Sequence, residues 1–512
     1  MKRPLAALAA LPVLIASASA EAPVAQGADK YFKDGQATLG VRQAVKPNTR
    51  KAKNVILFVG DGMDITTTTA ARIFDGQSRG EEGEENFLSF ERFPWVALSK
   101  TYNTNAQTPD SAGTMSAMVT GVKTKIGVIS LDDTVAVANC ASSKSAIAMT
   151  LGEYAERAGL ATGVVTTTRL THATPAAVYA HAADRDWERD TNLPEEALKN
   201  GCPDIARQLI EFPYGDGLEV AMGGGRSNFL PVEAADPERP VTTGDRRDGR
   251  NLVEEWKAKS ARHAYVFDRK GFDAIDPGAA PRVLGLFEPS HMQFEADRAG
   301  DTGGEPSLAE MTAKSIDILR QDKDGFFLMV EGGRIDHAHH AGNAARALRD
   351  TQAFSEAVAM ALSKTNAKDT LIVVTADHGH TMSFAGYPEK GNPILGLVSS
   401  SLEDANARDG YALAADGKPY TTLGYANGPG SILPGQKTAG QRPEPKPEEA
   451  ADLNYRQQAA IPSGSETHGG QDVVIYATGP GAWLFGGVVE QNYIFHVIDE
   501  ALGLRKRAEK RQ

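Results

Sequence analysis

The sequence predicts an α/β fold, a three-layer sandwich in which a mostly parallel central sheet carries helices on both faces. Three observations support this: short apolar runs, helical stretches between them, and polar residues gathered where the runs end. The runs are NVILFVGDG (54–62), ATGVVTTTRLTHATP (161–175), GFFLMVEGGRIDHAHH (325–340) and TLIVVTADHGH (370–380), with DVVIYATGP (472–480) as a fifth. Apolar runs without alternation mark strands covered on both faces, as in a parallel sheet. Helical periodicity fills 307–322 and 343–365 between them, and strand–helix alternation builds doubly covered sheets.

The 512 residues suit one large domain with insertions, and 41% hydrophobic with 23% charged residues suffices for a sizeable core. The net charge of −12 argues against nucleic acid or an acidic membrane as partner. It leaves an anionic substrate open, because bound metal ions can set a local field against the global one. Residues 1–20, MKRPLAALAALPVLIASASA, read as a secretory signal, with Lys2 and Arg3 before an apolar stretch and Ala18-Ser19-Ala20 for cleavage. That apolar stretch is shorter than a bilayer span. The mature body is then 21–512, exported to the periplasm or secreted. An oxidising compartment favours joining the only two cysteines, Cys140 and Cys202, over leaving them as separate buried thiols. Two regions break the strand–helix rhythm. Residues 231–250, rich in Pro, Asp, Glu and Arg, read as an excursion from the core. Residues about 387–465 are too many for a plain loop and read as an inserted subdomain. The closing RKRAEKRQ reads as a solvated, frayed tail.

Polar residues recur at the carboxyl ends of the proposed strands. Asp61 follows VILFVG, Thr174 lies beyond VVTTTRLTHA, Glu331 follows FFLMV, and Asp377 with His378 follows LIVVTA. That edge of an open α/β sheet binds ligands. In RIDHAHH, Asp336 and His340 are four apart, so on a helix they share a face and can grip one ion, while His337 and His339 point elsewhere. TADHGH raises the same question for His380, and ETHGG offers His468 in a glycine-flanked loop. In PDSAGTMSAMVTG (109–121), Ser111 is either a helix-capping residue or a nucleophile at a helix start that welcomes anions.

The inventory matches metals. Asp336, His340 and His468 give three mixed N/O ligands with a position left open, the pattern of a catalytic zinc. Asp61, Asp377 and His378 supply a second zinc site, with the Ser111 oxygen as a further ligand. Asp61, Thr174 and Glu331 are hard oxygen donors suited to magnesium completed by waters, with Asp61 bridging the last two sites. Zinc and cobalt both suit the mixed sites. Three divalent ions outweigh the four carboxylates, so the pocket draws in a phosphate dianion.

The motifs GDGM, PDSAGT, THATPAAVYAHAADRDW, VEGGRIDHAHH, TADHGHT and ETHGGQDV, in this order across nearly the whole mature chain, resemble alkaline phosphatase. The resemblance implies a phosphomonoesterase of broad range and alkaline optimum, with Ser111 as the phosphorylated nucleophile and Arg185 gripping the phosphate. NPILGL, YANGPG and NYRQQAAIP resemble the branch with a crown-like insertion at a homodimer interface, matching about 387–465. The same branch implies a Cys140–Cys202 disulfide and His172 in the outer shell near magnesium. It also implies a calcium-like ion at Glu238, the Phe287 carbonyl, Glu288 and Glu305, with Glu305 standing where Asp is usual. No hydrophobic tail follows Leu504, so no lipid anchor is expected.

The nearest rival is a related zinc phosphodiesterase or sulfatase-like hydrolase. Thr174 and Glu331 complete a third ion site that would neutralise the second charged oxygen of a monoester, which a diester lacks. A phosphate-binding protein without chemistry would need no bimetal pair beside a serine.

Overall fold

The structure is a computed structural model that describes residues 24–279, 281–400, 407–432 and 442–511. The expected signal at 1–20 lies outside the described residues. Residues up to Lys46 form one unit, and the chain from Pro47 forms another. In the first, the helix Lys30–Ala44 is capped by Asp29, which accepts from the Phe32 N–H at 3.0 Å.

In the second unit ten strands form the main sheet: β1 (Asn54–Gly60), β2 (Trp95–Lys100), β3 (Ala161–Arg169), β4 (Val220–Gly224), β5 (His263–Val266), β6 (Arg282–Leu286), β7 (Phe326–Gly332), β8 (Thr370–Ala376), β9 (Val473–Thr478) and β10 (Val488–Glu490). Their order is β10-β2-β9-β8-β1-β7-β3-β4-β6-β5. β1 is central, parallel to β7 on one side and β8 on the other. Strands from β8 through β5 pair in parallel.

Side chains of β1 divide between two cores, as the period of two requires. Val55, Leu57 and Val59 join one apolar cluster, while Ile56 and Phe58 join the other. β7 does the same, Phe327 and Met329 against Leu328 and Val330. Met115 and Met118 of the helix Ser111–Thr120 pack on the first face; Met311 and Ile316 of Leu308–Leu319 and Phe354 of Ala344–Lys364 pack on the second. The capped helix starts agree with the sequence pattern: Ser307 forms a capping box with Glu310, and Asn343 accepts from the Arg346 N–H. Three layers result, as expected.

Two local readings need correction, and a third is refined. The fifth apolar run, β9, is antiparallel to both β8 and β2. It therefore starts at the edge where the parallel strands end, which brings the preceding His468 to that edge. Residues 231–250 form no helix or strand and are mostly exposed, as an excursion would be, but they are anchored at two points: Arg246 is fully buried and forks onto both oxygens of Asp204 at 3.0 Å, and Arg226 does the same to Asp236 at 2.7 and 2.8 Å. The closing residues form a helix, Leu504–Arg511, that buries Leu504 and Ala508. Cys140 and Cys202 are joined by a disulfide, with Cα atoms 6.0 Å apart.

Within 387–465 the described residues include a hairpin of Ala407–Arg408 with Tyr411–Ala412. Leu423–Gly428 pairs with Met382–Phe384 and Ala459–Pro462 in a small separate sheet. No helix among the described residues is long and apolar enough to cross a membrane.

Candidate active site

Asp110, the neighbour of Ser111, is the helix cap, its carboxylate accepting from the Gly113 N–H at 3.1 Å, so the Ser111 hydroxyl is not used for capping. Ser111 Oγ is buried 3.2 Å from His378 Nε2 and 3.4 and 3.5 Å from the two Asp61 oxygens. Asp61 follows β1 and Asp377 with His378 follows β8, so neighbouring parallel strands deliver all three to one point. Asp377 is held by the N–H groups of Gly62 and His378 at 3.0 and 2.9 Å.

Asp336 and His340 lie on the short helix Arg334–His340, and their side chains meet at 3.3 Å, as i,i+4 spacing predicts. His468 Nε2 lies 3.3 Å from the same Asp336 oxygen and 3.1 Å from His340 Nε2. The imidazoles are oriented by the main chain. His340 Nδ1 donates to the Glu466 carbonyl at 2.6 Å, His468 Nδ1 to that of Pro109 at 2.8 Å and His378 Nδ1 to that of Gly379 at 3.3 Å. A carbonyl only accepts, so Nδ1 carries a proton, and in the neutral ring Nε2 turns its lone pair inward. His378, held neutral by burial and by neighbouring His468, points that lone pair at Asp61 (3.2 Å) and Asp377 (3.4 Å). Lone pairs facing carboxylates and one another repel unless cations lie between them. The donor set therefore fits metal ions.

The same demand shows in the acids. Burial, then Asp377, raises the Asp61 carboxyl well above the usual range, and burial, partly offset by Thr166 and Thr168, pushes Glu331 up to about 7. Buried Glu331 Oε1 and the Thr174 hydroxyl lack hydrogen-bond partners, while Glu331 Oε2 accepts from Thr166 and Thr168. His172, expected in the outer shell, offers a ring nitrogen within 4.8 Å of the Asp61 and Glu331 oxygens. Its Nε2 lies 3.1 Å from Arg185 Nη2, and Arg185 Nη1 donates to Asp110 at 3.1 Å. Arg185 thus stands beside the serine helix with its fork fixed from both sides.

Two members escaped the sequence reading. His380, raised there only as a question, donates between two carboxylates, 2.8 Å from Asp336 and 2.6 Å from Glu466. Burial alone would lower its pKa; the two carboxylates outweigh this and push it up to about 10. Glu466 had been passed over, although its place two residues before His468 was a signal.

The calcium-like set is arranged differently. Glu238 accepts from Arg226 at 2.8 Å, and Glu288 from Arg239 at 2.8 Å and Gln293 at 2.7 Å. Phe287 directly follows β6. Glu305 accepts from the Gln293 N–H, but its Oε2 and the Asp301 Oδ1 are buried without partners. Burial, then Glu288, pushes Glu305 up to about 9.

A family model for alkaline phosphatase matches residues 52–504. The chain is 44% identical over 478 residues to the tissue-nonspecific alkaline phosphatase of Felis catus, covering 92% of this chain and 87% of that one. It is 43% identical over 477 residues to an alkaline phosphatase of Gadus morhua, covering 92% and 96%. The solved alkaline phosphatase of Thermus thermophilus shares the fold, with a TM-score of 0.62 at 24% identity and coverage of 93% and 98%. Family match, relatives and a cation-demanding cluster around a buried serine lead to one conclusion: the chain belongs to the alkaline phosphatase family, metal-dependent hydrolases of phosphate monoesters.

Proposed function

We propose that the enzyme hydrolyses monoesters by double displacement through a phosphoserine at Ser111, with two zinc ions and one magnesium ion. The observation that carries this reading is the meeting of Ser111 Oγ with Asp61 and His378 within 3.5 Å, at a helix start capped by another residue. Asp336, His340 and His468 would hold one zinc, and Asp61, Asp377, His378 and Ser111 the other. Asp61, Thr174 and Glu331 would hold magnesium, with His172 alongside. When bound, the ions supply a lowered pKa for the Ser111 hydroxyl, an acceptor for its proton and positive charge at the leaving oxygen.

Ser111 Oγ attacks phosphorus in line, and its new P–O bond forms as the ester P–O bond breaks. Arg185 donates two N–H groups to the equatorial oxygens, held in position by Asp110 and His172. The departing alkoxide gains a proton and leaves. Water then attacks phosphoserine in line, releasing phosphate and restoring the serine hydroxyl. Two inversions give net retention at phosphorus. The third oxygen-rich group favours monoesters over diesters.

The proposal extends to a broad substrate range, a signal at 1–20 with export, a mature body at 21–512, a crown-like insertion at about 387–465, a homodimer, and calcium near Glu238, Phe287, Glu288 and Glu305. Ser111→Ala tests the centre of it. The variant is expected to lose phosphoserine in acid-quenched samples and at least about 10³-fold in turnover, with zinc content retained. Wild-type turnover would overturn the nucleophile assignment.

A further inference from the structure

Glu466 is buried, two residues before His468 along the chain, and connects to the candidate zinc ligands through both its side chain and its backbone. Its Oε2 accepts from His380 Nδ1 at 2.6 Å, and the opposite edge of that imidazole reaches Asp336 Oδ1 at 2.8 Å. Its Oε1 accepts from both the backbone N–H and the hydroxyl of Thr381, at 2.7 and 2.6 Å, which fixes the carboxylate plane. Its main chain clasps His340 twice. The Glu466 carbonyl accepts from His340 Nδ1 at 2.6 Å, and the Glu466 N–H donates to the His340 carbonyl at 2.9 Å.

We propose that Glu466 is a positioning residue for the ion held by Asp336, His340 and His468: its side chain sets Asp336 through His380, and its backbone sets His340. The inference rests on the metal reading of that cluster. Three hydrogen bonds to a fully desolvated carboxylate make its geometry rigid, and that rigidity passes through a flat imidazole to the ligand oxygen. A side chain that only filled space would need neither the Thr381 pair nor the line from Oε2 through His380 to Asp336. Groups that hold metal ligands from behind change metal affinity by about 10- to 100-fold when altered.

The test uses the full chain loaded with zinc and magnesium, compared with Glu466→Gln and Glu466→Asp. The readouts are the rate at which chelator strips zinc from the purified protein and the visible spectrum of the cobalt-substituted form. Glu466→Gln keeps size but replaces the acceptor facing His380 with an amide. It is expected to release one of its two zinc ions about 10- to 100-fold faster and to shift the cobalt bands, while the other ion leaves at the wild-type rate. Glu466→Asp, retaining the charge on a shorter arm, is expected to fall between. If Glu466→Gln does not fold, Thr381→Val, which removes one of the hydrogen bonds holding the carboxylate, is expected to show a smaller acceleration in the same direction. Wild-type release and spectrum in these variants would overturn the proposal. A wild-type protein that retains no zinc would instead overturn the metal reading beneath it.

Discussion

Two of the acid clusters among the described residues are compensated in opposite ways. Around Ser111, Asp61 and Asp377 face Nε2 of His378, and Asp336 faces Nε2 of His340 and of His468, with His380 the one ring that donates to it. Around Glu288, the neighbours of Glu238 and Glu288 are the guanidinium groups of Arg226 and Arg239. His380 offsets one carboxylate and a neutral imidazole adds no charge, so the first cluster still needs ions from solution. Guanidinium groups bring charge with them, so the second is largely balanced by the chain itself, with only Glu305 Oε2 and Asp301 Oδ1 left over. A third solution appears at Glu156, Asp216 and Glu219. There Arg282 serves Glu219 at 2.8 Å and Asp216, while burial, then Glu219, pushes Glu156 up to about 9, so that it keeps its proton. The type of partner, more than the number of acids, marks a metal centre.

Chelation is the largest way to break this comparison. Removing divalent ions is expected to lower activity at least about 10³-fold and the melting temperature by roughly 10 °C, with zinc and magnesium restoring both. Calcium added to the stripped enzyme is expected to leave activity at background and raise the melting temperature by only about 2 °C, an effect Glu305→Gln removes. Metal analysis, turnover and calorimetry read these together, and equal rescue by calcium would erase the distinction.

Next in size is Arg226→Met, which strips the charge from Asp236 and Glu238 in a fully buried setting. Leaving buried carboxylates unpaired is expected to cost about 3 kcal/mol in denaturant unfolding, while turnover per folded molecule stays near wild type. A large loss of turnover would show that the second cluster serves the first.

The smallest effect concerns pH. The Glu156 proton is held up to about pH 9 in the folded state, whereas the unfolded chain releases it near 4.5. Between those values the folded state binds more protons, so this contribution to stability is complete below pH 4.5 and lost as pH rises through 9. Glu156→Gln is therefore expected to gain a few degrees in melting temperature at pH 9–10 relative to wild type, and nothing at pH 4. Melting curves for the two proteins that differ by the same amount at pH 4 and pH 10 would overturn this reading of Glu156.

Much of the site was legible because parallel strands advertise their carboxyl ends. Asp61, Glu331, Asp377 and His378 each stand where an apolar run stops, and the i,i+4 pair Asp336 and His340 carried its own geometry. Arg185 was reachable only through resemblance. Its fork is fixed by Asp110 and His172, residues 75 and 13 positions away, and nothing local announces that. The contact between His380 and Glu466 was hidden for a similar reason, since 86 residues separate two groups that touch at 2.6 Å. The anchors of 231–250 and the closing helix were hidden because charge-rich composition shows its solvated side and not its distant partners. Arg246 finds Asp204 at a separation of 42 residues, and Arg511 finds Asp324 at 187.

The inward-facing imidazoles draw their aim from peptide carbonyls of Glu466, Pro109 and Gly379, in separate segments of the chain. A peptide oxygen survives every codon change. The direction of each ring is thereby insulated from substitution of the side chain at the residue that supplies its acceptor.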